Sequence, residues 1–270
     1  MNLSAHWNSL YRYKKLDLFR LFKPRPVHKS SLECFLEMNS YPYLQPIVSA
    51  ITGEVIGAEI LLRFIDKDGS CYAPGTVIEE LENSRHINKL TVDLINNIHQ
   101  HFLPIASNLP NDFFFTFNIC SSQLANDPLR EAALKFSDNF NMVLEIIERS
   151  VLEIDDDIQV AVEEMSNEGI QFAIDDFGAG HTSLKYLEIM NFSFLKIDRD
   201  LTRAHQGKLI YKNTVCALVE LARKLNMSLI AEGVETQEQV TLLTEAGAEL
   251  LQGYHYSMPL SVPHFIKEYF

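Results

Sequence analysis

Two aspartates, Asp175 and Asp176, stand side by side in the stretch FAIDDFGAGHTSL, residues 172–184, directly after an apolar run. Neighbouring carboxylates repel each other, and a carboxylate removed from water is costly unless a cation or hydrogen-bond donors compensate it. The pair therefore predicts a positively charged partner at this point of the chain. The glycine-rich stretch GAGHTS that follows can bend close to a ligand or simply turn into a helix.

Other polar side chains interrupt or close the remaining apolar runs. In chain order they are Glu59, Asn118, Glu145, Asp175 with Asp176, Lys196, Glu232 and Gln252. Each of them alone is equally well explained by a cap or a local salt bridge. Together they offer carboxylate and amide oxygens, which suit Mg²⁺ or Mn²⁺ better than zinc or copper. A fold that gathers them would create a divalent metal site.

The number of oxygen ligands fits two ions better than one. One aspartate of the pair can bridge two ions about 3.5 to 4 Å apart while its neighbour binds only the second. Such a centre activates a water and offsets charge in the hydrolysis of phosphate esters. Lys196, in FLKID, would add a cation beside the water or the phosphoryl oxygens. A purely structural role, neutralising carboxylates, is the alternative for this lysine.

The elements that must position these residues repeat one pattern from residue 43 onward. A short β-branched or aromatic run ends in a polar residue, and a longer amphipathic stretch follows. We expect eight strands, in YLQPIVS, VIGAEILLRF, FFFTFNI, NMVLEII, QFAIDDF, FLKID, SLIAEGV and ELLQGYHY. Strands that alternate with helices in this number predict an α/β protein with a (β/α)8 TIM-like barrel, in which the carboxyl ends of the strands meet at one mouth.

The first connection is the exception in this pattern. The stretch SAITGEVIG contains Thr52 and Gly53 and is too short for a parallel crossover, so the first two strands should be antiparallel. We therefore expect an irregular barrel with an antiparallel first strand. Among the helices, Thr236 and Gln239 predict a capping box at the start of the stretch VTLLTEAG.

Composition bounds the class of protein. The 270 residues, 47% of them hydrophobic, suffice for one large core or two small ones. No run of eighteen apolar residues and no signal peptide is present, which predicts a cytoplasmic protein. The four cysteines form no CxxC pair, which argues against a zinc site and a disulfide framework.

Residues 1–34 are expected to form a basic amphipathic segment, separate from a domain that spans residues 35–270. Seven basic residues and one acidic residue precede residue 32, so the rest is more acidic than the formal charge of −13 suggests. An acidic domain disfavours binding of nucleic-acid polymers. An apolar stripe flanked by basic residues fits contact of residues 1–30 with the inner membrane or a protein partner. A helix docked on its own domain and a frayed tail are the alternatives.

The ordered motifs resemble those of the EAL-domain phosphodiesterases, which hydrolyse cyclic di-GMP to linear pGpG in bacteria. The likeness covers roughly residues 35–265. It rests on EILLR at 59–63, FNICSSQL, LEIIE, DDFGAGHTSL, LKID, AEGVET and LQGYHYSMPL. The resemblance implies a TIM barrel and a hydrolase that lowers the level of this second messenger, in signalling that controls motility and biofilm formation.

The resemblance also implies a role for each matching residue. Two ions, Mg²⁺ or Mn²⁺, would be held, the first by Glu59, Asn118, Glu145 and Asp175, and the second by Asp175, Asp176 and Glu232. The implied catalytic set is Lys196, which orients the water, with Glu59, Asp175, Asp176 and Glu232. The residues implied around the substrate are Gln45, Leu61, Arg63, Glu235 and Gln252. Glu148 is implied to steady the glycine loop, and a homodimer is expected because the family tends to dimerise.

Five positions depart from the family pattern, and none of them removes an implied metal ligand: Ile60, Cys120, Ile147, His181 and Met258. Two of these, Ile147 and His181, lie near the glycine loop, which the resemblance implies is regulatory. They therefore bear on the rate of the reaction and its control more than on its chemistry.

Two further functions stay open. One is a catalytically weak or inactive domain that acts as a cyclic di-GMP receptor or a protein-binding regulator. The other is a phosphodiesterase that acts on the linear dinucleotide or another nucleotide.

Overall fold

The structure is a computed structural model of the chain, and it describes residues 32–147, 156–177, 187 and 191–270. The expectations for the N-terminal segment up to residue 31, for Glu148 and for His181 lie outside the described residues.

The strands follow the predicted order closely. In chain order they are β1 (Asn39–Ser49), β2 (Val55–Ile65), β3 (Cys71–Tyr72), β4 (Phe114–Ile119), β5 (Asn141–Ile147), β6 (Gln171–Phe177), β7 (Phe194–Ile197), β8 (Ala204–His205), β9 (Lys208–Leu209), β10 (Ser228–Ala231), β11 (Leu250–Gln252) and β12 (Leu260–Ser261). The short strands β3, β8, β9 and β12 were not predicted, because two residues carry no periodicity.

Eight of these strands close into a barrel. Their order is β1-β11-β10-β7-β6-β5-β4-β2, and β2 pairs back with β1. Strand β1 is antiparallel to both of its neighbours, whereas the other pairs in the barrel are parallel. The turn between β1 and β2 is tight, since Gly53 has a φ of 73° and Ser49 Oγ accepts hydrogen bonds from the amides of Ile51 and Thr52. The predicted TIM-like barrel with an antiparallel first strand is therefore confirmed.

Helices surround the barrel. In the described residues they are α1 (Leu32–Leu36), α2 (Ile78–Glu82), α3 (His86–Phe102), α4 (Asp127–Ser137), α5 (Asp156–Asn167), α6 (Lys212–Lys224), α7 (Gln237–Glu245) and α8 (Val262–Tyr269). The predicted capping box begins α7, where Thr236 Oγ1 accepts from the Gln239 amide at 3.2 Å and Gln239 Oε1 accepts from the Thr236 amide at 3.1 Å. None of the described helices combines the length and the apolar character needed to cross a bilayer.

The interior of the barrel is divided into an apolar layer and a polar layer. The apolar layer consists of Ile47, Phe114, Val143, Ala173, Phe194, Ile230 and Leu250. It is tightly filled, because a Cβ on Gly57 would lie 2.8 Å from the ring of Phe114. Side chains on a strand return to the same face every second residue. The polar layer lies two residues away from the apolar layer on the same face of the strands. It consists of Gln45, Glu59, Thr116, Glu145, Asp175, Lys196, Gln252 and, just after the end of β10, Glu232.

Candidate metal centre

A buried lysine lies at the centre of the polar layer. The Nζ atom of Lys196 lies 2.6 Å from a carboxylate oxygen of Glu232, 2.7 Å from Glu145, 3.2 Å from Asp175 and 3.8 Å from Glu59. Only 1% of the lysine side chain is exposed to solvent. One ammonium group therefore faces four carboxylates on four different strands or strand ends, and it cannot neutralise all of them.

The excess of acidic groups shifts the pKa values in the layer. Burial raises the pKa of Glu145 to about 8; Lys196 opposes this rise, and the negative charges of Glu59 and Asp175 add to it. Burial also raises the pKa of Glu232 well above its ordinary value. Burial lowers the pKa of Lys196, but the four carboxylates outweigh it, and the resulting pKa lies well above the ordinary value. Lys196 therefore stays charged, and protons or further cations must balance the carboxylates.

The paired aspartates lie at an irregularity of β6. The register of β6 against β7 shifts between Ile174 and Phe177, and Asp176 adopts a left-handed backbone with a φ of 56°. In a regular strand, neighbouring side chains point to opposite faces. The bulge instead brings both carboxylates to the mouth, where ligand oxygens of Asp175, Asp176 and Glu232 all lie within 4.8 Å of one another. The three residues predicted for the second ion therefore share one site.

The residues predicted for the first ion surround Glu59 and Lys196. Asn118 Nδ2 donates to Glu59 Oε1 at 2.8 Å, and Gln252 Nε2 donates to Glu59 Oε2 at 2.6 Å. Gln252 Nε2 also lies 3.3 Å from Gln45 Oε1, and Gln45 Nε2 donates to the main-chain oxygen of Ser257 at 3.1 Å. Gln45 and Gln252 are both buried; Gln252 contacts Glu59 directly, and Gln45 reaches it only through Gln252.

The donor set fits hard divalent cations. All of the candidate ligands offer oxygen, which Mg²⁺ and Mn²⁺ prefer. The Oε1 atom of Glu145 is fully buried and has no hydrogen-bond partner within the described residues. A buried carboxylate oxygen without a partner is unfavourable. A cation bound between the carboxylates would satisfy this oxygen and balance the surplus negative charge.

A cavity of about 230 Å³ opens beside these carboxylates. One side of it is formed by Glu59, Asn118, Asp175 and Asp176, and β2 contributes the predicted substrate residues Leu61 and Arg63. Another part of its wall is mostly apolar and comes from residues 74–94, with Pro74, Ile78, Leu90 and Leu94. The sequence did not reveal this wall, because apolar residues on helices look the same whether they line a cavity or fill a core.

Two further residues were missed or only partly understood from the sequence. Thr202 and Gln239 are buried, and their side chains contact the main chain around Glu232. Gln239 was predicted only as half of a capping box, and nothing in the sequence pattern distinguished Thr202 from other threonines. The predicted substrate residue Glu235 lies just before α7 and is exposed.

Comparison with known proteins identifies the class. The sequence model of the EAL domain matches residues 32–259, so the chain belongs to the EAL domain family. Cyclic di-GMP phosphodiesterase PdeL of Escherichia coli is 31% identical over 249 residues, which cover 90% of this chain and 69% of that protein. Probable cyclic di-GMP phosphodiesterase PdeG of the same organism is 31% identical over 231 residues, or 84% of this chain and 46% of PdeG.

A solved structure supports the same assignment. The PaMucR phosphodiesterase in complex with c-di-GMP superimposes with a TM-score of 0.75 at 30% identity, covering 87% of this chain and 97% of that one. The chain spans about half the length of PdeG. The chain therefore has the barrel fold of the EAL domain family.

Proposed function

We propose that this chain is a metal-dependent phosphodiesterase that hydrolyses cyclic di-GMP to linear pGpG and so lowers the level of this second messenger in bacterial signalling. The observation that carries the proposal is the layer of four carboxylates around the buried Lys196, with Asp176 brought beside Asp175 and Glu232. The names of the similar proteins support the choice of substrate.

We assign two divalent ions, Mg²⁺ or Mn²⁺, to this layer. The first ion would be held by Glu59, Asn118, Glu145 and Asp175, and the second by Asp175, Asp176 and Glu232. When bound, such a pair of ions supplies a nucleophilic water at neutral pH and offsets charge on a phosphate ester. The orphaned Oε1 atom of Glu145 and the surplus of negative charge support this assignment.

The chain's own residues orient the reactants. Lys196 keeps its proton, holds Glu145 and Glu232, and supplies positive charge where the water and the phosphoryl oxygens meet. Gln252 and Asn118 fix the two carboxylate oxygens of Glu59. Leu61 and Arg63 are assigned to substrate binding because both line the cavity. The guanidinium group of Arg63 also matches the geometry of a phosphate group. Glu235, exposed before α7, is assigned to the same function.

The test is hydrolysis of cyclic di-GMP by the purified protein, with pGpG measured by chromatography, in the presence of Mg²⁺ or Mn²⁺. Glu59→Gln should reduce turnover by at least about 100-fold, and excess chelator should abolish it. Glu220→Gln is the control, because it makes the same substitution at an exposed glutamate of α6 that accepts a hydrogen bond from Arg223. It should leave turnover unchanged. A wild-type protein that binds cyclic di-GMP but turns it over no faster than Glu59→Gln would instead be a receptor.

Two further assignments, the homodimer and the role of Glu148, rest on the family resemblance, and a third rests on the basic amphipathic pattern of residues 1–30. We propose that the chain forms a homodimer, that Glu148 steadies the loop after Phe177, and that residues 1–30 contact the inner membrane or a protein partner. Light scattering of the purified protein tests the dimer. Deletion of residues 1–30 should leave Mn²⁺ binding intact and reduce binding to anionic vesicles or to a partner, whereas loss of the fold would show that the segment is part of the domain.

A further inference from the structure

Gln239 is a buried glutamine at the start of α7 whose side-chain amide bonds the main chain at four places and the hydroxyl of Thr236 at 3.2 Å. Its Oε1 atom accepts hydrogen bonds from the amides of Glu235 at 2.9 Å and Thr236 at 3.1 Å. Its Nε2 atom donates to the main-chain oxygens of Thr202 at 3.1 Å and Gly233 at 3.3 Å. A capping box requires only the contact with Thr236. The other three contacts join the loop after β7 to the loop after β10.

Thr202 completes the connection between these two loops. Its side chain is fully buried, and its hydroxyl lies 2.7 Å from the main-chain oxygen of Glu232 and 2.9 Å from that of Arg199. The main chain of the two loops also meets closely, since a Cβ on Gly233 would lie 2.2 Å from the Cβ of Arg199. The residues on either side of Gly233 therefore have little freedom to move relative to the end of β7.

The segment held in this way contains a predicted metal ligand. Strand β10 ends at Ala231, and residues 232–235 have no regular secondary structure of their own. The carboxylate of Glu232 nevertheless lies 2.6 Å from Lys196 and within 4.8 Å of the ligand atoms of Asp175 and Asp176. The main chain holds this segment in part, since the amide of Glu232 donates to Ile197 O at 3.2 Å and that of Val234 to Gln252 O at 3.0 Å. The side chains of Gln239 and Thr202 add contacts to the main chain of Glu232, Gly233 and Glu235.

We infer that Gln239 and Thr202 are positioning residues, which act through the main chain of residues 232–235 to set Glu232 for the second divalent ion. This inference rests on the proposed function, because it assumes that Glu232 is a ligand. Neither side chain touches the ion or the substrate in this scheme. Partners behind a metal ligand that hold its orientation typically contribute 10- to 100-fold to metal affinity or activity.

The experiment measures Mn²⁺ affinity by electron paramagnetic resonance of the purified full chain, without turnover. Gln239→Met keeps the approximate volume and removes all of the polar contacts, and it should weaken the binding of one of the two Mn²⁺ ions by about 10-fold. Thr202→Val removes only the hydroxyl and should weaken it by about threefold. Thr202→Ser keeps the hydroxyl and should bind Mn²⁺ as the wild type does.

Thr244→Val is the matched control for Thr202→Val. The hydroxyl of Thr244 also lies 2.7 Å from a main-chain oxygen, that of Val240, but Thr244 lies in the last turn of α7, is half-buried and faces no predicted ligand. We expect Thr202→Val to weaken Mn²⁺ binding and Thr244→Val to leave it unchanged. If the two variants bind Mn²⁺ equally well, the positioning role is refuted, even where Gln239→Met fails to fold.

Failure of this inference can be distinguished from failure of the proposed function. A wild-type protein that binds two Mn²⁺ ions but does not hydrolyse cyclic di-GMP overturns the hydrolase, while the affinities of the variants still decide the positioning role. A wild-type protein that takes up no Mn²⁺ overturns both. Turnover that depends on Mn²⁺, combined with unaltered affinity in Thr202→Val and Gln239→Met, overturns the positioning role alone.

Discussion

The Nζ atom of Lys196 lies 2.7 Å from Oε2 of Glu145, and the two side chains are only 1% and 0% exposed. Removing one member of a buried ion pair leaves an uncompensated charge. We therefore expect Lys196→Met to lower the free energy of unfolding of the metal-free protein by about 3 to 5 kcal/mol, measured by urea denaturation at neutral pH. Saturating Mn²⁺ should recover part of this loss, because the ions also compensate the carboxylates.

Lys89→Met provides the control for this prediction. Lys89 pairs with Asp93 on the surface of α3, where the side chains are 78% and 49% exposed. Exposed pairs contribute about 0 to 1 kcal/mol. An equal loss in Lys89→Met and Lys196→Met would contradict the view that the buried lysine balances the polar layer.

Binding of Mn²⁺ should strengthen as the pH rises. The pKa of Glu145 is raised from an ordinary value of 4.5 to about 8, so below pH 8 this carboxyl carries a proton that a cation must displace. We expect Glu145 to raise the apparent affinity by up to about tenfold per pH unit between pH 6 and 8, and Glu232, whose pKa is also raised by burial, to add to this rise. Calorimetric titrations in two buffers of different ionisation enthalpy measure both the affinity and the released protons.

The same shift predicts the opposite trend for the metal-free protein. A group with a raised acid pKa binds more protons in the folded state than in the unfolded state, so stability falls as the pH rises from 4.5 to about 8. In Glu145→Gln both pH trends should be weaker, since the amide does not titrate. Unchanged pH profiles in this variant would show that another group controls the trends.

Asp176→Gly should stabilise the metal-free protein while weakening metal binding. Asp176 has a φ of 56°, which glycine adopts more readily, and its carboxylate lies close to those of Asp175 and Glu232. We expect a gain of about 1 kcal/mol in the free energy of unfolding and the loss of one bound Mn²⁺. Asn226→Gly, at the same φ of 56°, should change stability little and leave Mn²⁺ binding intact, because asparagine tolerates this conformation as aspartate does but carries no charge. A destabilised Asp176→Gly protein would argue against repulsion between the carboxylates as the main cost at this position.

Gly233→Ala should destabilise the chain and displace Glu232. Gly233 has a φ of 65°, and an added Cβ would lie 2.2 Å from the Cβ of Arg199. Overpacking of this kind costs about 1 to 3 kcal/mol, in addition to the backbone strain. Gly69→Ala shares the positive φ, at 84°, but meets nothing within 4 Å, so it isolates the strain from the clash. Similar urea midpoints for the two variants would show that the clash is relieved by movement of the loop.

The strands could be predicted because their signals are local. Alternation, a polar end and a following helix identified all eight strands of the barrel, and Thr236 with Gln239 correctly predicted the start of α7. The predictions were less accurate at strand ends. The stretch SLIAEGV was expected to be a strand throughout, but β10 ends at Ala231, because Gly233 has a φ of 65°, which an extended strand does not contain.

The chemistry of this protein was determined by the sequence alone, since the order and the types of the polar residues at the strand ends specify an oxygen-rich, acidic site with one lysine. The tertiary structure decided how these residues combine. Closure of the barrel brings Glu59 and Gln252 within 2.6 Å although they are 193 residues apart, and the register shift against β7 turns Asp176 to the same side as Asp175. Distances across a closed sheet and the register between strands depend on pairing over the whole chain, which no local pattern contains.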